Sequence, residues 1–324
     1  MKVLDGKMRK VFDRKRGVRE METCYDASVI IPTYNRELEL GLTLDALTKQ
    51  KTEYTFEVLV ADDGSHDHTK EVAAKYRDQL NLRYFYQEDQ GYRCTAARNM
   101  GIRNARGKIC IFIDCGVLLS SQAVQKHLEV HRRESGENCL VLGYTYANYP
   151  LKPEEAGQIR QLAEKLDVDA LIHKMPEIGQ KDSREEMYQM YGDELSKWPA
   201  PWAVVYGCNL SAPIEFVKKI GMFDENFNSW GADDNEFGIR VFLAGGRTIL
   251  ERQACSIYYP HNSGNKQNSN PNEFVKRLRV KQEYIYNKFH LAAVRTWMNE
   301  PFFLLNQVLI ERGEDGRKVD LYDQ

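Results

Sequence analysis

Regular patterning begins at Ala27. Ser28-Val29-Ile30-Ile31 is a short apolar run closed by Pro32, and it predicts a buried strand. Leu38 and Leu42, with Leu40, Leu44 and Leu47, then recur at helical spacing. Further strands are predicted at Glu57–Ala61, Leu82–Tyr86, Lys108–Ile113 and Leu140–Leu142. Helices are predicted over Thr69–Tyr76, Thr95–Ala105 and Ser121–Glu134. Strands alternating with helices imply an α/β fold: a Rossmann-like, mainly parallel sheet with helices on both faces.

The texture changes after Pro150. Residues 151–197 are charged and weakly periodic, and read as surface helices and loops. Trp198-Pro199-Ala200-Pro201-Trp202 is a rigid aromatic stretch, and Val204–Leu210 reads as a strand with a glycine kink. Asp233 and Asp234 open a helix that runs through Leu243. Another strand, Cys255–Tyr259, leads to His261, and residues 262–272 form an Asn-, Ser-, Gly- and Pro-rich loop. The tail is expected to be helical, docking through Phe274, Leu278, Tyr284, Phe289, Trp297 and Phe302. Four segments follow: a basic arm (1–26), two halves of one domain (27–150 and 151–265), and a C-terminal extension (266–324).

Composition narrows the function classes. A formal net charge of −2 gives no whole-molecule attraction to nucleic acid. Residues 1–20 are nonetheless basic, from Lys2 and Lys7 through Arg19. A solvated arm is the plainer reading; peripheral contact with an anionic lipid surface, a polyanion or a second subunit is the sharper one. No apolar run approaches the roughly 18 residues of a membrane span, and the N-terminus lacks the apolar segment of a signal peptide. The seven cysteines are scattered and form no CxxC pair, so reduced thiols and a cytoplasmic location are expected.

In parallel sheets, ligands bind outside the carboxyl ends of the strands. Three polar segments fall at such ends: Thr33-Tyr34-Asn35-Arg36, Asp62-Asp63-Gly64-Ser65 and Asp114-Cys115-Gly116. Together they offer an aromatic platform, acceptors for base and ribose hydrogens, and a cation, which are what a nucleotide needs. One of Asp62 and Asp63 is also expected to cap the next helix. In the C-terminal half, Asp233 and Asp234 stand at a helix start beside Trp230 and Gly231. A carboxylate there stays ionised and can act as general base. His127 and His131 lie four apart on a helix, but HLEVH lacks the HExxH form, so a structural role is preferred. No P-loop, GxGxxG or GxSxG pattern is present, which argues against ATPase, nicotinamide and α/β-hydrolase chemistry.

The blocks SVIIPTYNRELEL, VLVADDGSHDHT and YFYQEDQGYRCTAARNMGIRNARGKICIFIDCG resemble the nucleotide-binding half of family-2 glycosyltransferases of the GT-A fold. FDENFNSWGADDNEFGIRVFLAGG resembles the acceptor half of the chondroitin-polymerase and hyaluronan-synthase branch, and is similar to the galactosyltransferase WGGED motif. The resemblance implies an inverting transfer from a UDP-sugar to a saccharide, aminocyclitol-like or other hydroxyl acceptor. It places Pro32, Thr33, Tyr34, Arg36 and Asp63 around the base. Gly91, Tyr92, Arg98, Asn99, Asp114 and Cys115 would line the rest of the donor site. Trp202, Gly207, Asn209, Trp230, Gly231 and Asp233 would face the acceptor and the transferred sugar, with Asp234 as base. Asp114 and His261 would be metal ligands for Mn²⁺ or Mg²⁺. Gly116 stands where the last acid of the family's DxD motif belongs, so a cation such as Arg98 is an alternative to metal. A nucleotidyltransferase and a non-catalytic sugar-nucleotide- or glycan-binding protein are the rival classes, and oligomeric state is left open.

Overall fold

The computed structural model describes residues 25–134, 138–149, 151–261 and 271–320. Nearly all of the basic arm and the core of the 262–272 loop lie outside the described residues. The first half builds β1 (Tyr25–Thr33), α1 (Glu37–Thr48), β2 (Phe56–Asp62), α2 (Thr69–Lys75), β3 (Leu82–Tyr86), α3 (Cys94–Asn104) and β4 (Gly107–Ile113). Then come β5 (Val117–Leu119), α4 (Ala123–Arg133) and β6 (Cys139–Tyr146). The insertion carries α5 (Pro153–Ala163), α6 (Val168–Lys174) and α7 (Glu185–Tyr191). After it come β7 (Asn209–Pro213), α8 (Ile214–Lys219), α9 (Asp233–Leu243) and β8 (Arg247–Tyr258). The tail is α10 (Pro271–Phe289), α11 (Ala292–Asn299) and α12 (Leu305–Glu311).

One eight-stranded sheet results, in the order β3-β2-β1-β4-β7-β6-β8-β5. The block β3-β2-β1-β4 is parallel, as its uninterrupted apolar strands require. β7 runs antiparallel to both β4 and β6, and β5 antiparallel to β8, so the sheet is mixed. The chain winds outward from β1 to β3 and returns on the other side of β1 at β4. In open α/β sheets such a reversal is where a ligand crevice forms, here at the carboxyl ends of β1 and β4. β1 runs on through Pro32 to Thr33, three residues past its last pairing with β4 at Ile30. Proline is tolerated there because the ladder on that side has already ended.

Two apolar layers cover the sheet. Val29, Ile31, Val58, Val60, Ile111 and Ile113 pack under Leu40, Leu44 and Leu47 of α1. Ile30, Leu59, Phe112, Leu142 and Leu210 face the opposite layer with Ile102, Phe237 and Val241. Each such side chain contributes roughly 1.5–3 kcal/mol on burial. The insertion is pinned by Arg184, fully buried, which donates to Asp182, Gly143 O and Val204 O.

The predicted strand over Val204–Leu210 is corrected. Residues 201–204 form a 3₁₀ turn and pairing begins only at Asn209. Pro201, sitting at the first position of that turn, explains the difference. The tail is helical as expected. Ile285, Tyr286, Val294, Trp297 and Leu305 pack with Trp202, Phe227 and Ile239 in a separate cluster. No helix among the described residues is long and apolar enough to cross a membrane.

Candidate active site

The carboxyl ends of β1 and β2 are zipped together by their loops. Asn35 N donates to Ser65 Oγ (2.8 Å), and His66 N donates to Asn35 Oδ1 (2.7 Å). Asp62 is the structural member of its pair: Gly64 N, Ser65 N and Tyr84 Oη all donate to it. Gly64 is required here, because its φ is +97° and a Cβ would come within 2.4 Å of Asp89 N. Asp63 accepts from Gln87 Nε2 (2.6 Å) and Arg93 N (2.8 Å), and burial raises its pKa. The exposed Tyr34 ring stands beside it, its hydroxyl donating to Asp89 Oδ2 (2.8 Å). Pro32 and Thr33 are buried beneath, Thr33 Oγ1 against Cys115 Sγ at 3.5 Å.

Arg98 of α3 joins this half to the other. It is only 3% exposed. Its Nη2 donates to Asp114 Oδ1 (2.9 Å), and its Nη1 to Asp234 Oδ1 (2.9 Å) and Asp233 Oδ2 (3.3 Å). The guanidinium lies 5.1 Å from the Phe223 ring centre. Three carboxylates from the end of β4 and the start of α9 therefore share one cation. Asp234 Oδ2 also accepts from Gly207 N at 2.7 Å. A Cβ at Gly207 would stand 2.5 Å from both Arg98 Nη2 and Asp234 Oδ1, so any side chain there would push this pair out of its present contact. Burial, with help from Asp233 and Asp114 and against Arg98, pushes the Asp234 carboxyl up to about 7. A carboxylate poised near neutrality is suited to accept a proton. Tyr92 is held beside this cluster, its hydroxyl pKa raised by burial first and then by Cys94 and Asp233.

Three expected contacts are corrected. Asn209 is fully buried within the sheet: its Oδ1 bonds His127 Nε2, and its Nδ2 donates to Ala254 O and Ser256 Oγ. No group remains to meet a sugar. Trp202 is 0% exposed and packs 5.6 Å from Trp297, so it is core rather than acceptor surface. Asn99 spends its amide on Phe223 and Glu225, clamping the turn that precedes Trp230 instead of facing the donor crevice. Cys115 is buried, its thiol pushed up to about 12, so only its backbone borders the crevice. His127 and His131 hold the sheet through Ser211 and Asn209, as the structural reading had it.

Gly91 is exposed, with φ +83°, in the loop between β3 and α3. Trp230 and Gly231 project from the loop before α9, and Trp230 is 52% exposed. Phe274 of α10 lies 5.8 Å from the Trp230 ring, a partner that the loop motif alone did not signal.

A metal has few donors here. Among the described residues no group of three His, Cys, Asp or Glu side chains is placed to hold one. Asp114 keeps a quarter of its side chain exposed. Burial, then the charge of Arg36, lowers the pKa of His261, which favours the neutral, ligating form. Gly116, at φ +98°, has no acid to add; the Glu39 side chain lies where its Cβ would point, 3.5 Å away. Two protein donors suit a hydrated divalent ion shared with a diphosphate, not a cage built by protein alone.

The mixed sheet, its crevice and the carboxylate cluster define a GT-A architecture. The fold is similar to Staphylococcus aureus TarS 1–349 in complex with UDP-GlcNAc, with a TM-score of 0.55 at 18% identity over 81% of this chain and 67% of that one. It is also similar to mannosyltransferase PcManGT from Pyrobaculum calidifontis in complex with GDP-Man and Mn²⁺, at TM-score 0.53 and 19% identity over 81% of this chain and 64% of that one. Residues 28–185 match glycosyl transferase family 2, and residues 191–263 match the N-terminal domain of galactosyltransferase. An uncharacterized glycosyltransferase, YfnE of Bacillus subtilis, is 30% identical over 91% of this chain and 80% of its own length. The chain belongs to glycosyl transferase family 2. Validoxylamine A glucosyltransferase of Streptomyces hygroscopicus subsp. limoneus is 35% identical over 74% of this chain. Chondroitin synthase of Escherichia coli is 30% identical over 81% of it. The chain spans 53% of the first of these relatives and 39% of the second.

Proposed function

We propose that the chain transfers a sugar from a UDP-sugar to a hydroxyl of a saccharide or aminocyclitol-like acceptor, with inversion at the anomeric carbon. The observation that carries this reading is the placement of Asp234 at the start of α9, bonded to Arg98 and Gly207 N, beside Asp114 and the Trp230 loop, with burial raising its pKa. Tyr34 and Asp63 flank the crevice where a uracil would sit, and the UDP-GlcNAc named with TarS supports a nucleotide-sugar donor. The validoxylamine A glucosyltransferase supports the acceptor class.

The acceptor hydroxyl lies between Trp230 and the donor sugar. Its oxygen attacks the anomeric carbon from the face opposite UDP. The carbon–oxygen bond to the diphosphate breaks, UDP leaves with that electron pair, and Asp234 takes the hydroxyl proton. Asp114 and His261 would hold Mn²⁺ or Mg²⁺, which when bound would offset charge on the leaving diphosphate. Arg98 supplies fixed positive charge in the same crevice and keeps Asp234 from protonating further. Asp233, 5% exposed, orients Arg98 from the acceptor side.

The test pairs UDP-sugars with validoxylamine A and with chondroitin and hyaluronan oligosaccharides, and measures nucleotide release with product anomer by NMR. Release of UDP with a product of inverted configuration supports the reading. Pyrophosphate release in a parallel reaction of UTP with a sugar 1-phosphate would indicate a nucleotidyltransferase, and UDP binding without turnover a sugar-nucleotide-binding protein.

A further inference from the structure

The acceptor loop has an unusual backbone. Gly231 and Ala232 are consecutive residues with positive φ, +103° and +67°. For alanine this conformation costs roughly 1–2 kcal/mol, so the surroundings must hold it. Lys281 of α10 does so. Its Nζ donates to Ser229 O (2.8 Å), Trp230 O and Gly231 O (3.0 Å). An ammonium has three N–H groups, and all three are spent on three successive carbonyls.

The rest of α10 is built for the same contact. Phe274, Lys281 and Lys288 are seven residues apart and share one helix face. Phe274 touches the Trp230 ring, and Lys288 bonds Asp224 Oδ2 (2.7 Å) and Glu236 Oε1 (2.8 Å). Tyr284 Oη donates to Asp224 Oδ2 at 2.6 Å. The helix therefore grips the 224–236 segment before, at and after the turn. Lys281 is partly buried, which lowers its pKa to about 8, with Asp233 opposing and Arg277 adding to the shift.

We propose that Lys281 is a positioning residue of the acceptor subsite, fixing the 229–232 turn so that Trp230 stands exposed beside Asp233 and Asp234. This rests on the acceptor-loop reading above. A sugar ring would stack on Trp230 with Phe274 at its edge. Lys281 never touches it, and acts through the carbonyls it gathers.

The test uses the full chain with K281M and K281R. Transfer from the active UDP-sugar to the active panel acceptor is followed, alongside UDP calorimetry. Amide hydrogen exchange is measured over residues 227–236, with β2 as the internal reference. K281M is expected to raise acceptor KM at least tenfold, the scale of losing charge-assisted hydrogen bonds. It should leave UDP affinity within about twofold and speed exchange only in 227–236. K281R should fall between, because a planar guanidinium cannot meet three converging carbonyls. Unchanged acceptor KM and exchange in K281M overturn the proposal. If K281M loses UDP binding, K281R decides: raised KM with intact UDP binding supports the role, and wild-type KM refutes it. A wild-type chain that transfers to no acceptor sinks the functional reading itself, a result distinct from any of these.

Discussion

Replacing Arg98 with methionine removes the cation that Asp114, Asp233 and Asp234 share at 2.9–3.3 Å. At an effective dielectric constant of about 20, each contact at such separations is worth roughly 5 kcal/mol. Arg98 is the attraction that opposes burial at Asp234, so its loss favours the protonated acid. Surrendering even a quarter of one contact, about 1.3 kcal/mol, moves a titration by roughly one pH unit. In the wild type the base must be ionised, so kcat/KM should rise with pH through about 7 and be lost below it. In R98M that limb should move up by one pH unit or more. Stranding the buried Asp233, beside two carboxylates about a quarter exposed, also costs up to about 3–5 kcal/mol, a fall in Tm on the order of 10 °C. The assay is UDP release from pH 5.5 to 9, with calorimetric melting beside it. An R98M limb that stays near 7 or moves down, with an unchanged Tm, would refute the reasoning.

Gly207→Ala should cut kcat at least tenfold, since the new methyl would stand 2.5 Å from Asp234 Oδ1 and Arg98 Nη2; retained UDP affinity by calorimetry separates this from misfolding. Trp230→Ala should raise acceptor KM with little change in Tm, whereas Trp202→Ala should lower stability by about 3–5 kcal/mol, read by urea unfolding; the reverse pattern would exchange their roles.

Much of the site was legible because strand ends announce themselves. Apolar runs stopping at Asp62-Asp63 and Asp114 mark one edge of a parallel block, and the sheet does place both there. Periodicity also carried α1, α3 and α4 nearly to their ends. It did not say which of several neighbouring polar residues faces the crevice. Asn209 and Gly207 are two apart, yet one is locked inside the sheet and the other lies against the Asp234 carboxylate. Trp202 and Trp230 are alike in sequence context, each beside a glycine or proline, but only the tail helices decide that Trp202 is covered. The Arg98 cluster joins residues 135 and 136 apart, and Lys281 reaches back some 50 residues. Neither link leaves a local pattern, since a lone arginine or lysine on a helix reads as a solvated charge.

The central claim is that Asp234 is the base of a UDP-sugar-dependent transfer, and the turnover of Asp234→Asn tests it most directly. The substitution keeps the shape and one of the two oxygens, either Oδ1 toward Arg98 or Oδ2 toward Gly207 N, puts an amide at the other position and removes the proton acceptor. Turnover is expected to fall by at least about 10²-fold, the lower bound for general-base action, with UDP affinity unchanged. Wild-type turnover in that variant would contradict the account and move the search for the base to Asp233.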